Sequence, residues 1–178
     1  MLRKLLIGLA ASLGLAGAAN ASLPVGAKAP ALTTTGALAG KPFNFNLASA
    51  LKRGPVVLYF YPKAFTKGCT LEARAFSEAM DEFRKAGAQV IGLSADDLGT
   101  LKRFSVEECR NAFPVAIANK KVIRDYQVSL PVVGKITTMS NRTTYVIDRR
   151  GRIVMAHSDM DWSEHVRKAL EAVQALKR

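Results

Sequence analysis

Cysteine is scarce in this chain, with only Cys69 and Cys109 among 178 residues. They stand too far apart for a Cys-x-x-Cys pair, which excludes the usual dithiol-exchange motif, and at most one intramolecular bridge is possible. Histidine is equally rare. His157 and His165 lie near Asp159 and Asp161, but the four straddle a strand end and a helix start without a recognised ligand spacing, so no metal site is expected there and no cofactor motif is seen elsewhere. Acidic residues number 14 against 26 Lys and Arg, a formal charge of +12. Such a surplus invites nucleic acid or an acidic membrane as partner. The basic residues are scattered, however, with no long basic run and no nucleic-acid motif, so the sequence favours a solvated basic surface and no nucleic-acid binding. Internal repeats and low-complexity tracts are absent.

What is present begins with a targeting pattern. Arg3 and Lys4 supply a positive start, Leu5 to Gly17 is an apolar run too short to span a bilayer comfortably, and Ala19-Asn20-Ala21 is a small-x-small cleavage site before Ser22. The expectation is a signal peptide over 1–21, cleaved after Ala21, and a single exported domain over 22–178, periplasmic in a bacterium or secreted, with no stable membrane insertion. A retained N-terminal anchor is the alternative. No cysteine lies near the cut, so lipid attachment there is not expected. The remaining length suffices for one substantial core.

The chain is organised around Pro62-Lys63-Ala64-Phe65-Thr66-Lys67-Gly68-Cys69. Before it, Pro55 to Tyr61 is β-branched and aromatic without charge, the pattern of a central strand buried on both faces. After it, Phe76, Met80 and Phe83, with Ala75 and Ala79, recur at helical spacing until Gly87. Cys69 therefore falls in or beside a helix's first turn, where unpaired N–H groups and the dipole stabilise a thiolate. Taken alone, Cys69 also fits a small buried core residue or half of a structural disulfide.

Further along, Ala88–Ser94 reads as a second buried strand, and Asp96 or Asp97 caps a helix reaching about Arg110 with Leu98, Leu101, Phe104 and Ser105 inward. Phe113–Ile117 is a short strand, 120–126 a brief helix, and the loop through Ser129, Pro131 and Gly134 is long enough to suggest function. Two strands, 143–148 and 152–157, flank the turn at 148–151. Asp161 with Glu164 resembles a capping box before a last helix striped by Val166, Ala169, Leu170 and Val173, with Trp162 packing near its start. Upstream, 23–41 suggests an extended lead-in with a turn near Gly36 or Gly40, Phe43–Leu47 a short edge strand, and 48–53 one helical turn.

Pro62, Thr66 and Cys69 match the active-site pattern of the peroxiredoxins, and the stretch VVLYFYPKAFTKGCTLEARAF resembles the PrxQ or bacterioferritin-comigratory branch. The resemblance runs from about Leu23 to the C-terminus and includes Gly26-Ala27-Lys28-Ala29-Pro30 and the block Asn141-Arg142-Thr143-Thr144-Tyr145-Val146-Ile147-Asp148. It implies an α/β thioredoxin-like fold, a central mixed sheet with helices on both faces, matching the order in which strands and helices alternate before a β-β-α ending. It also implies an antioxidant peroxidase acting on hydrogen peroxide and organic hydroperoxides, a thioredoxin-like reductant and a monomer. Site residues carried over are peroxidatic Cys69, Thr66, Pro62 and Arg142, with Gly68 lending a backbone N–H and Glu72 orienting the arginine. From spacing alone Arg142 fits a surface salt bridge equally well, and Glu72 an acid favoured in a first turn.

The resolving cysteine is where the chain departs from the family. Arg74 occupies one usual position, and Ser105 is the match to the other; Cys109 lies one helical turn beyond it and is expected on the same face. Cys109 either resolves Cys69 or leaves that to an external thiol. A permanent Cys69–Cys109 bridge in a binding or thiol-exchange module of thioredoxin fold is the competing reading. Exported proteins form such bridges, and closing this loop would add on the order of 3 to 5 kcal/mol.

Overall fold

A computed structural model describes residues 22–131 and 137–177. The signal pattern over 1–21 and Gly134 of the long loop lie outside the described residues.

The buried stretch before Pro62 is strand β3 (Val56–Phe60), and its alternation explains the layering of the whole molecule. Val57, Tyr59 and the following Tyr61 enter one core, while Val56, Leu58 and Phe60 enter the other, because successive side chains of a strand point to opposite faces. Its neighbours are β4 (Gln89–Ser94), parallel to it, and β6 (Thr143–Ile147), antiparallel. With β1 (Thr33–Leu38), β2 (Lys41–Asn46), β5 (Val115–Ile117) and β7 (Ile153–Ser158) they form one mixed seven-stranded sheet, ordered β2-β1-β5-β4-β3-β6-β7. Helices α2 (Lys67–Lys85), α3 (Leu98–Glu107) and α5 (His165–Ala175) cover one face; α1 (Leu47–Leu51) and α4 (Lys120–Asp125) cover the other. This is the α/β thioredoxin-like architecture. Among the described residues, all elements and both cores lie within residues 32–175, downstream of Ser22.

Four expectations are corrected. The lead-in contains strand β1, which passes straight through Gly36. A Cβ there would sit 2.0 Å from the Val115 carbonyl oxygen, so glycine serves close strand contact, not a turn. The turn is Ala39-Gly40, both with positive φ, joining Leu38 to Lys41 as a two-residue hairpin loop. Leu47 opens α1, because the Asn46 side chain accepts from the Ser49 N–H and ends the strand. Asp161 and Glu164 form no capping box: Asp161 Oδ1 accepts from Ser163 N, and α5 starts after Glu164 without a side-chain cap. Finally, α3 stops at Glu107, so Cys109 is not on that helix. Its N–H reaches the Phe104 carbonyl, and the chain then turns through Arg110 and Asn111, both left-handed.

Candidate active site

Cys69 is the third residue of α2 and is 1% exposed. Thr66 is the N-cap but makes no side-chain cap bond, and the turn's first helical hydrogen bond runs from Thr70 N to Thr66 O. The N–H groups of Gly68 and Cys69 are therefore left without a partner inside the helix, at the positive end of its dipole. Thr66 Oγ1 donates to the Lys63 carbonyl at 2.9 Å, leaving its lone pairs as acceptors.

The segment leading into α2 is pinned from several sides. Asp96, at the end of β4, accepts from Ala64 N at 2.7 Å and from Ser94 Oγ at 2.8 Å, while Asp97 beside it caps α3 through Thr100 N. Ser140 Oγ donates to the Tyr61 carbonyl. Phe65 has φ of 62°, uncommon for an aromatic residue, and is held edge-on against Phe104 with the Arg103 guanidinium over its ring. Pro62, partly exposed, is the first residue of this segment.

Arg142 comes from the residue just before β6, whose antiparallel register with β3 sets Thr143 opposite Phe60. The sheet thus brings together residues distant in the chain. Arg142 is 4% exposed and each of its three guanidinium nitrogens is engaged: Nη2 reaches Cys69 Sγ at 3.5 Å, Nη1 donates to Glu72 Oε2, and Nε donates to the Met160 carbonyl at 3.0 Å, leaving two of five N–H donors over. Gly68 permits this approach, since a Cβ there would lie 3.1 Å from Nη2; Trp162 borders the same spot. Burial works against the arginine's charge, but Glu72 and Cys69 hold its pKa above the ordinary value, so it stays a cation. A cleft of about 360 Å³ opens beside it, lined in part by Leu130, Asn141, Ser158 and Met160.

Glu72 is fully buried, and its Oε1 has no hydrogen-bond partner. Burial raises its pKa from 4.5 to about 8, with Arg142 pulling the other way. The ion-pair geometry with Arg142 and the raised pKa pull in opposite directions, and burial prevails: one guanidinium does not repay the cost of taking this carboxylate out of water.

Sequence reasoning missed His165, which stands behind Glu72 with Nδ1 3.7 Å from Oε1. Its Nε2 lies 3.0 Å from the Asp159 carbonyl and its Nδ1 2.8 Å from Thr144 Oγ1. A carbonyl only accepts, so Nε2 carries the hydrogen and Nδ1 receives the threonine hydroxyl. Burial lowers the imidazole's pKa to about 4, so it is neutral at pH 7. The one available signal was its place at the head of the buried stripe continued by Ala169 and Val173.

Cys109 is buried in the same core as Cys69, and both are free thiols. Tyr59 lies between their neighbourhoods: burial first, and then Cys109, Tyr61, Glu72 and Cys69, raise its hydroxyl's pKa. The rings of Tyr59, Phe76 and Phe113 pack together here, with Tyr59 and Phe76 centroids 4.4 Å apart. Burial also pushes the Cys109 thiol's pKa up. Both cysteines are thus buried within the core that these rings belong to.

Comparison with known proteins agrees with this geometry. The AhpC/TSA family pattern matches residues 25–156. Over 129 residues the chain is 33% identical to the chloroplastic peroxiredoxin Q of Populus jackii, covering 72% of this chain and 59% of that one. It therefore spans about three-fifths of that relative's length. Among solved structures, the peroxidoxin BcpB of Mycobacterium tuberculosis superposes with a TM-score of 0.75 at 31% identity, covering 86% of this chain and 98% of that one. A bacterioferritin comigratory protein of Xanthomonas campestris, studied for its alkyl peroxide reduction activity, gives 0.71 at 28%, covering 83% and 92%. A family match across most of the described chain, together with a cysteine at an uncapped helix start under a buried arginine, places this protein in the AhpC/TSA family, among the peroxiredoxin Q and bacterioferritin-comigratory proteins.

Proposed function

We propose that the protein is a thiol peroxidase that reduces hydrogen peroxide and organic hydroperoxides. The observation that carries this reading is the Cys69 sulfur beside the guanidinium of Arg142 at the free N-terminus of α2. The Cys69 thiolate attacks the nearer hydroperoxide oxygen, forming an S–O bond as the O–O bond breaks. The bonding pair leaves with the distal oxygen as hydroxide or alkoxide, which takes a proton from water, and Cys69 is left as a sulfenic acid. Negative charge spreads over both oxygens in this transition state. Arg142 and the N–H groups of Gly68 and Cys69 are the preorganised donors for it, and Thr66 Oγ1 accepts the hydroperoxide hydrogen. Pro62 shields the thiolate, and Glu72 holds the arginine.

Cys109 then attacks the sulfenic sulfur, forming a disulfide and releasing water. Both cysteines are buried, at 1% and 0% exposed, so this step requires the start of α2 and the segment after α3 to open. A thioredoxin-like dithiol reduces the bridge, becoming a disulfide itself. The reading includes export after cleavage behind Ala21, to the periplasm or outside, and a monomeric enzyme; the pattern of 1–21 supports the first, and the resemblance supports the second.

The test is peroxide consumption by the chain from Ser22 with excess reductant. Wild type turns over, Cys69→Ser is inactive, and Cys109→Ser stalls with a thioredoxin but turns over with a small thiol. An inactive wild type with a Cys69–Cys109 bridge that resists reduction would instead support a structural disulfide in a non-peroxidatic module.

A further inference from the structure

The charge that looks scattered in the sequence is gathered in space. Because β6 runs antiparallel to β3, Arg142 lies at one end of the sheet with Cys69, while Arg149 and Arg150 on the β6–β7 turn lie at the other end with Arg53. Nearly extended chain separates Arg142 from Arg149, a span of about 20 Å. Two adjoining clefts open at this far end and share Arg149 and Arg150. One, about 490 Å³, is also bordered by Arg53, Lys177 and the exposed Leu176; the other, about 360 Å³, has an apolar floor of Leu32, Leu47 and Leu51 and a rim carrying Lys28 and Lys52.

Among the described residues, none of Lys28, Lys52, Arg53, Arg149, Arg150 and Lys177 has a carboxylate partner; the ion pairs found are on other surfaces or, on α2, between Asp81 and Arg84 and between Glu82 and Lys85. The hydrogen bonds these cations make go to neutral groups, Arg53 to Ser49 O and Gln89 Oε1, Arg149 to Lys52 O, and Lys177 to Lys85 O. Asp148, the one acid lining the clefts, spends Oδ1 on the N–H groups of Arg150 and Arg152. Val25, 63% exposed, adds an apolar residue near the same end, where Gly26 pairs with Ile153.

We propose that this end is a docking surface for a bilayer rich in acidic phospholipid. A basic cleft adjoining one with an apolar floor and a cationic rim matches a surface that offers phosphate charge and acyl chains together. Nucleic acid is the poorer match: no aromatic side chain lines either cleft to stack on the bases of a single strand, and the phosphates of a duplex make no use of the apolar floor. Among the described residues no helix is long and apolar enough to cross a membrane, and the proposed contact is a peripheral one. Docking in this way turns the Cys69 end toward solution.

The test is co-sedimentation of the chain from Ser22 with vesicles of phosphatidylcholine alone or with about one-third phosphatidylglycerol. The clefts predict binding only to the acidic vesicles and release by about 0.5 M salt. Arg149→Glu/Arg150→Glu should weaken that binding by ~30-fold or more, at about fivefold for each cation lost. Both side chains are exposed and remote from Cys69, so the variant's peroxide rate checks that the fold is intact. Lys102→Glu/Lys120→Glu, with the same charge change on other surfaces, should bind like wild type. Equal binding to both vesicles, equal loss in both variants, or tighter binding to duplex DNA through the same arginines would overturn the proposal.

Discussion

Replacing Glu72 by glutamine tests the electrostatics of the site directly. Two acids, Cys69 and Glu72, converge on one guanidinium in a region closed to water. Glutamine keeps the shape and an oxygen for Arg142 Nη1 but can never ionise. The carboxyl's rise from 4.5 to about 8 means that the folded protein holds this proton while the unfolded chain has already lost it. Between those values, wild-type stability falls as pH rises; below 4.5 both states are protonated, and above about 8 neither is. At about 1.4 kcal/mol per pH unit the full shift corresponds to roughly 5 kcal/mol. Urea unfolding of both proteins at pH 5, 7 and 9 should therefore show Glu72→Gln gaining on wild type by several kcal/mol from pH 5 to 8 and by little afterwards. Any pH-independent cost of the swap cancels in that trend. Peroxidase activity gives a second reading. Wild-type Glu72 is about nine-tenths protonated at pH 7, so the variant should match wild type there and outperform it above pH 8, where the ionised carboxylate draws Arg142 away from the reacting oxygens. A stability gap that stays constant from pH 5 to 9, or that moves against the variant as pH rises, would refute the reasoning.

His165→Asn removes the imidazole that ties the Asp159 carbonyl, next to the Met160 carbonyl that holds Arg142 Nε. The peroxide rate constant should fall about tenfold or more as the guanidinium loosens. Because the folded imidazole titrates at about 4 instead of 6.5, wild-type stability is lost as pH falls through that window, by up to about 3 kcal/mol, and urea unfolding of the variant should lack this slope. Asp96→Ala leaves Ala64 N and Ser94 Oγ without their acceptor and should cost about 1–3 kcal/mol in denaturant melts, with faster hydrogen exchange at the Ala64 amide. Restored exchange protection in Asp96→Asn would tie the effect to the lost acceptor.

Much was determined by the sequence itself. Strand β3 was legible because Val56 to Phe60 is apolar on both faces, and α2 because Phe76, Met80 and Phe83 fall on one helical stripe; both signals are local and periodic. The placing of Cys69 at a helix start followed from the same boundary. Three-dimensional packing decided the rest. Gly36 reads as a turn residue until Val115 is seen pressed against it, and α3 reads as reaching Arg110 until the chain turns left-handed after Cys109. The pairing of β3 with β6 alone sets Arg142 against Cys69 and Glu72, and only the folding of α5 back onto the sheet puts His165 behind them. The same pairing gathers Arg53, Arg149 and Arg150, scattered along the chain, at one end. Periodicity records which face of an element is buried; it carries no record of which distant element covers that face, and both the electrostatics of Glu72 and the basic clefts depend on that second fact.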